Sequence, residues 1–405
     1  MGAALPVESS QDVARVEEGI AAFIGEFKAL RQDLHRHPEL SFQEHRTAAI
    51  VAERLAAWGY EVTTGIAGTG VVGRLVRGSG RGNGSGNSLG IRADMDALPI
   101  TEATGLPYAS ENAGVMHACG HDGHTTVLLA TARFLAESGR FDGTLNLIFQ
   151  PAEENGGGAN RMIAEGLFER FPCDAVFGLH NWPCVGEGHF GCVTGPAMAS
   201  VDQITITVRG KGGHGAAPHE TVDPVVASAH IITALQTVVS RNVDPLDMGV
   251  VTVGSIHGGA APNVIPESVE LKLTARAFKP EVRAILKERI PAIARAQAES
   301  FGATAEVQYR PGYPAVLNHD AETALARSVA VDTFGAARVD AGFRPRTASE
   351  DFAFMLLKRP GSYVFVGNGD GASLHSPYYD FNDAILAPSA TYWVRLAERF
   401  LAPAA

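Results

Sequence analysis

Cysteine is scarce in this sequence, and long apolar runs are absent. The 405 residues include four cysteines, too few for a disulfide scaffold and typical of a protein from a reducing compartment. No apolar run approaches the ~18–20 residues that a helix needs to cross a bilayer. The first eleven residues lack a basic segment followed by an apolar one, so they contain no recognisable secretory signal. These absences predict a cytoplasmic protein without a membrane span.

Basic residues are outnumbered by acidic ones. The chain has 33 Lys and Arg against 44 Asp and Glu, which gives a formal net charge of −11. Nucleic acids and anionic membrane surfaces both favour a basic partner, so we expect neither to bind this protein. A hydrophobic fraction of 45% and a charged fraction of 19% are ordinary for a globular protein with a buried core. The length predicts two or three domains.

Short apolar runs alternate with helical stretches in the first and last parts of the chain. Spacings of three and four between apolar residues predict helices over 11–57, interrupted at Pro38. In the later segments, short apolar runs predict strands and the same spacings predict helices. The predicted strands are 71–76, 88–92, 144–149, 175–179 and 363–366, and the later helices are 121–134, 158–165, 321–334, 349–357 and 389–401. Residues 77–87 read as a flexible polar loop. This alternation predicts an α/β fold with a doubly wound mixed sheet.

The middle of the chain has a different rhythm. Strict alternation of apolar and polar residues predicts half-buried strands, and longer periodic segments between them predict helices. The predicted strands are 204–208, 249–256, 269–274 and 303–309, and the helices are 223–239 and 280–300. The order βαββαβ is that of a ferredoxin-like unit. We therefore expect residues 193–308 to form a domain inserted into one made of residues 1–192 and 309–405.

Polar side chains follow the predicted strands of the outer domain, where open α/β sheets bind ligands. Taken alone, a Cys-x-His pair or two loop glutamates are more often solvated than functional. Their convergence at one sheet edge favours a functional role, because Cys, His and carboxylate groups together suit borderline divalent metals. The residues in question are Asp94, Asp96, Cys119, His121, Glu153, Glu154, His180 and His375. This set predicts a dinuclear site with cations ~3.5–4 Å apart.

Seven short motifs carry a resemblance to a known family. They are residues 92–99, 116–121, 150–154, 178–180, 210–218, 349–352 and 374–377. In this order they resemble the amidohydrolase branch of the dinuclear-metal aminoacylase/carboxypeptidase family, which includes hippurate hydrolases, N-acyl-L-amino-acid amidohydrolases and plant auxin-conjugate hydrolases. The resemblance spans nearly the whole chain. It implies a catalytic α/β domain that carries the ferredoxin-like insertion as a lid and dimerisation domain.

The resemblance also implies a role for each matched residue. Cys119 matches a metal-bridging thiolate, and Glu153 matches the general base. The remaining implied metal ligands are His121, Glu154, His180 and His375. Asp94 and Asp96 are expected to shape the site rather than to bind metal. The neighbouring His117 and His124 are expected at most to support the ligands, and Glu39 fits a family signature but is equally a first-turn helix acid.

Three residues of the inserted domain match substrate-contacting positions. His214 matches a lid histidine that in relatives reaches a neighbouring subunit's site and polarises the scissile carbonyl. Asn263 and Arg276 match positions that contact substrate, the arginine through the substrate carboxylate. As in relatives, the lid strand over 267–276 is expected to pair with its equivalent in a second subunit. We therefore expect a homodimer or homotetramer.

The implied reaction is hydrolysis of an amide bond by two divalent metal ions per subunit, which are Mn, Zn, Co or Ni. The expected substrates are N-acyl or N-aroyl L-amino acids such as hippurate, which are small molecules. A metallo-dipeptidase or carboxypeptidase, or an N-acetyl-diaminopimelate-type deacetylase, is the alternative enzyme. A non-catalytic binding protein with a relict site is the alternative outside enzymes. Against that last reading, Glu153 and all five candidate ligands are present.

Overall fold

The computed structural model describes residues 10–78 and 88–403. Residues 79–87, which make up most of the expected polar loop, lie outside the described residues. The helices are α1 Ser10–Ala21, α2 Ile24–Arg36, α3 His45–Ala57, α4 His121–Ser138, α5 Gly158–Ala164, α6 Leu167–Arg170, α7 Pro224–Asn242, α8 Pro280–Ser300, α9 Asp320–Phe334, α10 Ala353–Leu356 and α11 Leu386–Phe400. The strands are β1 Glu61–Ile66, β2 Gly70–Arg77, β3 Ser88–Asp94, β4 Gly143–Gln150, β5 Ala175–Pro183, β6 Phe190–Cys192, β7 Gly195–Met198, β8 Ser200–Arg209, β9 Gly213–His214, β10 Gly249–His257, β11 Val264–Ile265, β12 Ser268–Ala277, β13 Thr304–Pro311, β14 Val316–Asn318, β15 Val339–Asp340 and β16 Gly361–Gly369.

Contacts between residues divide the chain into two compact units. The first unit runs up to Gly195 and also contains Leu317–Arg344 and the chain from Phe354 onward. The second unit contains Pro196–Val316 and Pro345–Ala353. Across the described ranges, none of the helices has the length and apolar character needed to span a membrane.

The first unit is built on a mixed sheet. Among the described residues it has eight strands in the order β1-β2-β4-β3-β5-β16-β6-β15. Strands β4, β3, β5 and β16 run parallel to one another, and β1 and β2 pair antiparallel with their neighbours, whereas β6 pairs antiparallel with β16 and parallel with β15. The central strands are buried almost throughout, as expected when helices cover both faces of a parallel sheet. The structure thus confirms the predicted α/β fold with a doubly wound mixed sheet.

The second unit is built on a four-stranded antiparallel sheet, whose residues are all described. Its order is β10-β12-β8-β13, and α7 and α8 pack their apolar stripes against it. Alternate residues of β8 and β12 are buried, which is the physical source of the period of two in the sequence. The chain order β8-α7-β10-β12-α8-β13 is the βαββαβ order expected of the ferredoxin-like insertion.

Two local expectations are wrong. The strand over 267–276, expected to pair with its equivalent in a second subunit, is β12, which pairs with both β10 and β8 and is therefore interior. The helix expected over 349–357 is limited to α10, because the Glu350 carboxylate accepts the backbone N–H of Phe352 at 2.9 Å and this local bond competes with helix formation. Strand β1 was not predicted, since its sequence lacks an apolar alternation.

A buried carboxylate links the sheet of the second unit to its helix α8. Asp202 of β8 is 1% exposed, and its oxygens accept hydrogen bonds from Arg283 Nε at 3.0 Å, Tyr309 Oη at 2.7 Å and the backbone N–H of Gly312 at 3.0 Å. Burial disfavours the ionised carboxyl, but the bonds from Arg283 and Tyr309 outweigh it and hold the pKa of Asp202 below its usual value. The pair therefore stabilises the folded unit while Asp202 is ionised.

We predict that Asp202→Asn lowers the free energy of unfolding by roughly 3 kcal/mol at pH 7, because it leaves Arg283 without its negative partner. A carboxyl whose pKa is lowered by folding stabilises the protein above its unfolded pKa of about 3.9 and loses that contribution as the pH falls further. Urea unfolding of the two proteins should therefore differ fully at pH 7 and progressively less below about pH 4. The control Glu288→Gln, on the exposed face of α8, should leave the free energy of unfolding unchanged both at pH 7 and below about pH 4.

Candidate metal centre

The carboxyl ends of neighbouring strands meet at one edge of the large sheet. Strands β4, β3 and β5 are adjacent, and the first turn of α4 and the segment after β16 lie in the same unit. This edge carries Asp94 at the end of β3, Glu153 and Glu154 after β4, His180 in β5, His121 at the start of α4 and His375 after β16. The buried strands therefore position the side chains that the sequence singled out.

The predicted ligands form groups of close donor atoms. The ligand atoms of Cys119, His121 and His180 lie within 4.8 Å of one another, and so do those of Cys119, Glu154 and His375. A third group joins His121, Glu154 and Glu153. The Cys119 Sγ is common to the first two groups and lies 3.4 Å from His180 Nε2. A shared donor between two triads is the arrangement that a pair of adjacent cations requires.

Hydrogen bonds to the backbone fix which nitrogen the buried imidazoles of His121 and His180 present. His121 Nδ1 lies 2.9 Å from the carbonyl oxygen of Asp96, and His180 Nδ1 lies 2.6 Å from the carbonyl oxygen of Asn181. A ring whose Nδ1–H donates to a carbonyl presents Nε2 with its lone pair free for a metal. His375 has a φ of 62°, and its backbone N–H donates to the Ala118 carbonyl at 2.8 Å.

The unsatisfied atoms of the cluster fit divalent cations. Within the described part of the chain, His121 Nε2 and Glu154 Oε1 are buried without a hydrogen-bond partner, a costly state unless a ligand completes them. The donor set of one thiol, three imidazoles and carboxylates is the set that zinc and related metals prefer. His375, 53% exposed at its side chain, is the outermost donor. The residues present therefore fit a two-metal site.

The local electrostatics are strongly negative. Burial disfavours the imidazolium form of His121, but Asp94 and Asp96 outweigh this and raise its pKa to about 10. Burial, together with Glu154 and Glu153, raises the pKa of the Cys119 thiol. Bound cations would reverse this effect, because a metal deprotonates a coordinating thiol. Burial lowers the pKa of His180, which keeps it in the neutral form that binds metal.

Asp94 and Asp96 lie beside the donors and orient them. Asp96 accepts the backbone N–H groups of Glu153 at 3.0 Å and Glu154 at 3.1 Å. Asp94 Oδ2 accepts from Arg92 at 2.7 Å, while its Oδ1 lies 2.6 Å from a ring nitrogen of His124. Both carboxylates are fully enclosed by protein. The site-shaping role that the resemblance implies for the two carboxylates stays a prediction.

Sequence reasoning gave no part to Asn181 and Tyr379. The side-chain oxygen of Asn181 lies 2.7 Å from His124 Nε2, and its amide nitrogen donates to the Tyr379 hydroxyl at 2.5 Å. The His124 ring lies 4.6 Å from that of His180, centroid to centroid, so this network braces a candidate ligand. The position of Asn181 directly after His180 was the available signal, but a buried amide is not distinguishable from a solvated one by pattern.

The other three predicted residues belong to the second unit. His214 in β9 and Asn263 are exposed and lie on one ribbon, where the N–H of Gly215 donates to the Asn263 carbonyl at 2.8 Å. His214 Nδ1 accepts the N–H of Ala216 at 3.0 Å, so the ring proton of the neutral form sits on Nε2. Arg276 lies in β12 and donates to the Thr347 carbonyl at 2.9 Å. The structure thus brings His214 and Asn263 together and places Arg276 in the other sheet of that unit.

Known proteins match the chain along most of its length. The profile of peptidase family M20/M25/M40 matches residues 90–399. The chain is 44% identical over 377 residues to a hippurate hydrolase of Campylobacter jejuni, covering 93% of this chain and 97% of the relative. It is 40% identical to an N-acetyl-L-cysteine deacetylase of Bacillus subtilis, covering 92% and 87%. The solved structure of a dinuclear metal-binding M20 peptidase from Bacillus subtilis matches with a TM-score of 0.80 at 34% identity, covering 94% of this chain and 99% of that one.

We predict that Cys119→Ala lowers the metal content of the purified protein to one ion per subunit or fewer, because the donor common to both triads is lost. Elemental analysis after dialysis measures the stoichiometry. Cys192→Ala is the matched control, since Cys192 is also buried but belongs to none of the donor groups found among the described residues. Full metal content in the Cys119 variant would contradict a bridging thiolate.

Proposed function

The chain belongs to peptidase family M20/M25/M40, and on that premise we propose that it hydrolyses the amide bond of N-acyl or N-aroyl L-amino acids such as hippurate. The family resemblance seen in the sequence is confirmed, and the protein is a hydrolase of this family. The observation that carries the proposal is the pair of donor triads sharing Cys119, with Glu153 beside them. The similarity to a hippurate hydrolase supports the acyl amino acid as substrate.

We propose that Cys119, His121, Glu154, His180 and His375 hold two divalent cations, which are Mn, Zn, Co or Ni. When bound, such a pair polarises a carbonyl oxygen and lowers the pKa of a nearby water. The thiol and imidazole donors favour these metals over magnesium or calcium, which prefer oxygen ligands. The buried atoms His121 Nε2 and Glu154 Oε1, which lack a hydrogen-bond partner among the described residues, support this assignment.

Glu153 is the group that moves the proton. Its side chain is 6% exposed, and Asp96 fixes its backbone. We infer that Glu153 takes a proton from the attacking water as the new C–O bond forms. The same carboxyl then delivers that proton to the leaving nitrogen as the C–N bond breaks. The products are a carboxylic acid and a free amino acid, and Glu153 returns to its starting form.

Residues of the second unit are proposed to bind the rest of the substrate. His214 carries its ring proton on Nε2 when neutral, so it is a donor for the carbonyl oxygen as negative charge develops there. Arg276 is proposed to pair with the substrate carboxylate, for which a guanidinium has the matching geometry. Asn263, on the same ribbon as His214, is proposed as a further polar contact.

The alternatives differ in the group on the acyl side of the amide. A metallo-dipeptidase or carboxypeptidase would need an amino acid there, and an N-acetyl-diaminopimelate-type deacetylase would need an acetyl group. The deacetylase among the relatives favours a small acyl group as the second candidate. We also propose a cytoplasmic location, because Cys119 must remain reduced to bind metal as a thiolate.

The proposal is tested with a panel of hippurate, N-acetyl amino acids and dipeptides, each assayed with Mn, Zn, Co and Ni in turn. We expect hippurate or another aroyl or acyl amino acid to be cleaved with the highest kcat/KM, and activity to vanish when the metal is removed. In the same panel Glu153→Gln should retain its metal and lose roughly two to four decades of kcat.

Three outcomes would contradict the proposal. A flat response to every substrate and metal would remove the enzyme assignment. Preferred cleavage of dipeptides would replace it with the peptidase alternative. Near-normal turnover by the Glu153 variant would show that another group carries the proton.

We further propose that the second unit is a lid and dimerisation domain, and that the protein is a homodimer or homotetramer formed through β10. Edge strands normally carry charges or proline that prevent pairing with another chain. Strand β10 (Gly249–His257) has no Lys, Arg, Asp, Glu or Pro, whereas the opposite edge β13 contains Glu306, Arg310 and Pro311. An uncharged edge of this length favours pairing with its copy about a two-fold axis.

We predict that Thr252→Lys, on the exposed face of β10, shifts the protein towards monomers, because like charges then meet across the two-fold axis. Light scattering after size-exclusion chromatography measures the mass. Thr304→Lys on β13 is the matched control and should leave the mass unchanged. A monomeric parent protein, or a dimer insensitive to the β10 change, would contradict this interface.

A further inference from the structure

Three consecutive backbone N–H groups in the turn after β4 donate to buried carboxylates. The N–H of Ala152 donates to Glu44 Oε1 at 2.9 Å. The next two N–H groups, those of Glu153 and Glu154, donate to the two oxygens of Asp96. The family resemblance implies a site-shaping role for Asp96 and none for Glu44. The turn that carries the proposed base and a proposed ligand is therefore held from two carboxylates rather than one.

Ala152 needs such a hold because its backbone is left-handed. Its φ is 53°, a conformation in which the Cβ of an L-residue crowds the following carbonyl. Residues other than glycine keep it only where the surroundings impose it. The Ala152 carbonyl accepts the N–H of Gly158 at 3.0 Å, so both backbone polar groups of this residue are fixed. The left-handed residue directly precedes Glu153 and sets the direction in which the chain continues.

Glu44 does not cap the helix that follows it. It occupies the N-cap of α3, yet its side chain makes no capping hydrogen bond. The first N–H groups of that helix, those of Arg46 and Thr47, donate instead to Glu39 at 2.8 and 2.9 Å. The carboxylate of Glu44 is fully buried and faces the turn after β4. Burying a carboxylate is costly, so its placement requires an explanation other than helix capping.

The segment around Glu44 encloses the same turn. Thr69 Oγ1 donates to Glu44 Oε2 at 2.5 Å, and the N–H of Phe42 donates to Oε1 at 3.0 Å. The Phe42 ring packs so closely on Gly156 that no Cβ would fit there. These contacts restrict where the Glu44 carboxylate can lie, and through it where Ala152 can lie.

We propose that Glu44 is a positioning residue whose buried carboxylate holds Ala152 in the left-handed conformation and thereby aims Glu153 and Glu154 into the metal centre. The inference rests on the proposed function, because it takes Glu153 as the base and Glu154 as a ligand. Glu44 itself contacts neither substrate nor metal. Its effect passes through one peptide unit.

Glu44→Met tests this, since methionine has a similar length but no strong acceptor. We expect kcat per metal-loaded subunit to fall about 10- to 100-fold, the scale of a displacement near 1 Å in an active site, while KM changes less than about threefold. Metal affinity, measured by competition with a chromophoric chelator, should weaken roughly tenfold because Glu154 is displaced with the turn. Glu44→Gln keeps an acceptor for Ala152 and should retain most of the activity.

The decisive comparison is the double variant with Ala152→Gly. Glycine adopts a positive φ without steric cost, so it removes the need for the hold from Glu44. We expect the double variant to have a kcat at least about fivefold higher than that of Glu44→Met. Such a gain is a coupling between two sites in contact. Glu39→Met is the matched control, because it removes N–H acceptors from α3 without touching Ala152. That control should lower the melting temperature and leave kcat unchanged.

The inference is overturned if Glu44→Met keeps the parent kcat and metal affinity, or if Ala152→Gly restores neither. Should Glu44→Met fail to fold, Ala152→Val takes its place. A β-branched residue strongly disfavours a positive φ, so it should produce the same loss while Glu44 is intact, and unchanged kcat there would also overturn the inference. If the parent protein hydrolyses no substrate, the proposed function fails, whereas the chelator competition still reports whether Glu44 positions Glu154.

Discussion

Negative charge gathered in a space with little water is the constraint on which the rest of the site depends. Asp94, Asp96, Glu153 and Glu154 converge beside the Cys119 thiol at one edge of the large sheet. The negative charge around them favours the protonated forms of Cys119 and His121, whose pKa values are both raised. Partners that offset this charge are Arg92, protonated imidazole or bound metal. A strong tendency to bind cations is therefore built into the fold.

Hydrogen bonds to backbone groups hold the donor atoms of the site in place. The carbonyl oxygens of Asp96 and Asn181 fix the imidazoles of His121 and His180. The Asp96 carboxylate in turn fixes the backbone N–H groups of the turn after β4. His121, His180 and the backbone of Glu153 and Glu154 are thus oriented by groups that are themselves held in the interior. Because the central strands are buried on both faces, small displacements at this edge meet packed side chains rather than solvent. Precision at the site follows from the same burial that makes its charges costly.

The sequence was most informative where a local pattern has a direct structural cause. Apolar runs marked β3, β4 and β5, and because parallel strands end at the same edge, the polar residues after them could be expected to meet. The interior place of β12 was beyond reach, since periodicity reports the faces of a strand but not its neighbours. The role of Glu44 was equally hidden, because an acid before a helix reads as a cap, and only tertiary structure shows that Glu39 serves α3 instead. The Ser349–Phe352 segment failed as a helix for a similar reason, a side chain binding its own backbone.

The parallel pairing of β16 with β5 bears on how the protein is made. Val176 pairs with Gly361, so the chain synthesised between these strands includes the whole second unit. On the ribosome the large sheet lacks β16 until that material has emerged, and such distant pairings form slowly. His375, which follows β16, is the last donor to arrive. On the proposed assignment of ligands, metal uptake by the complete centre is therefore a late event in biogenesis, and a chain cut off before β16 lacks one of the five proposed ligands.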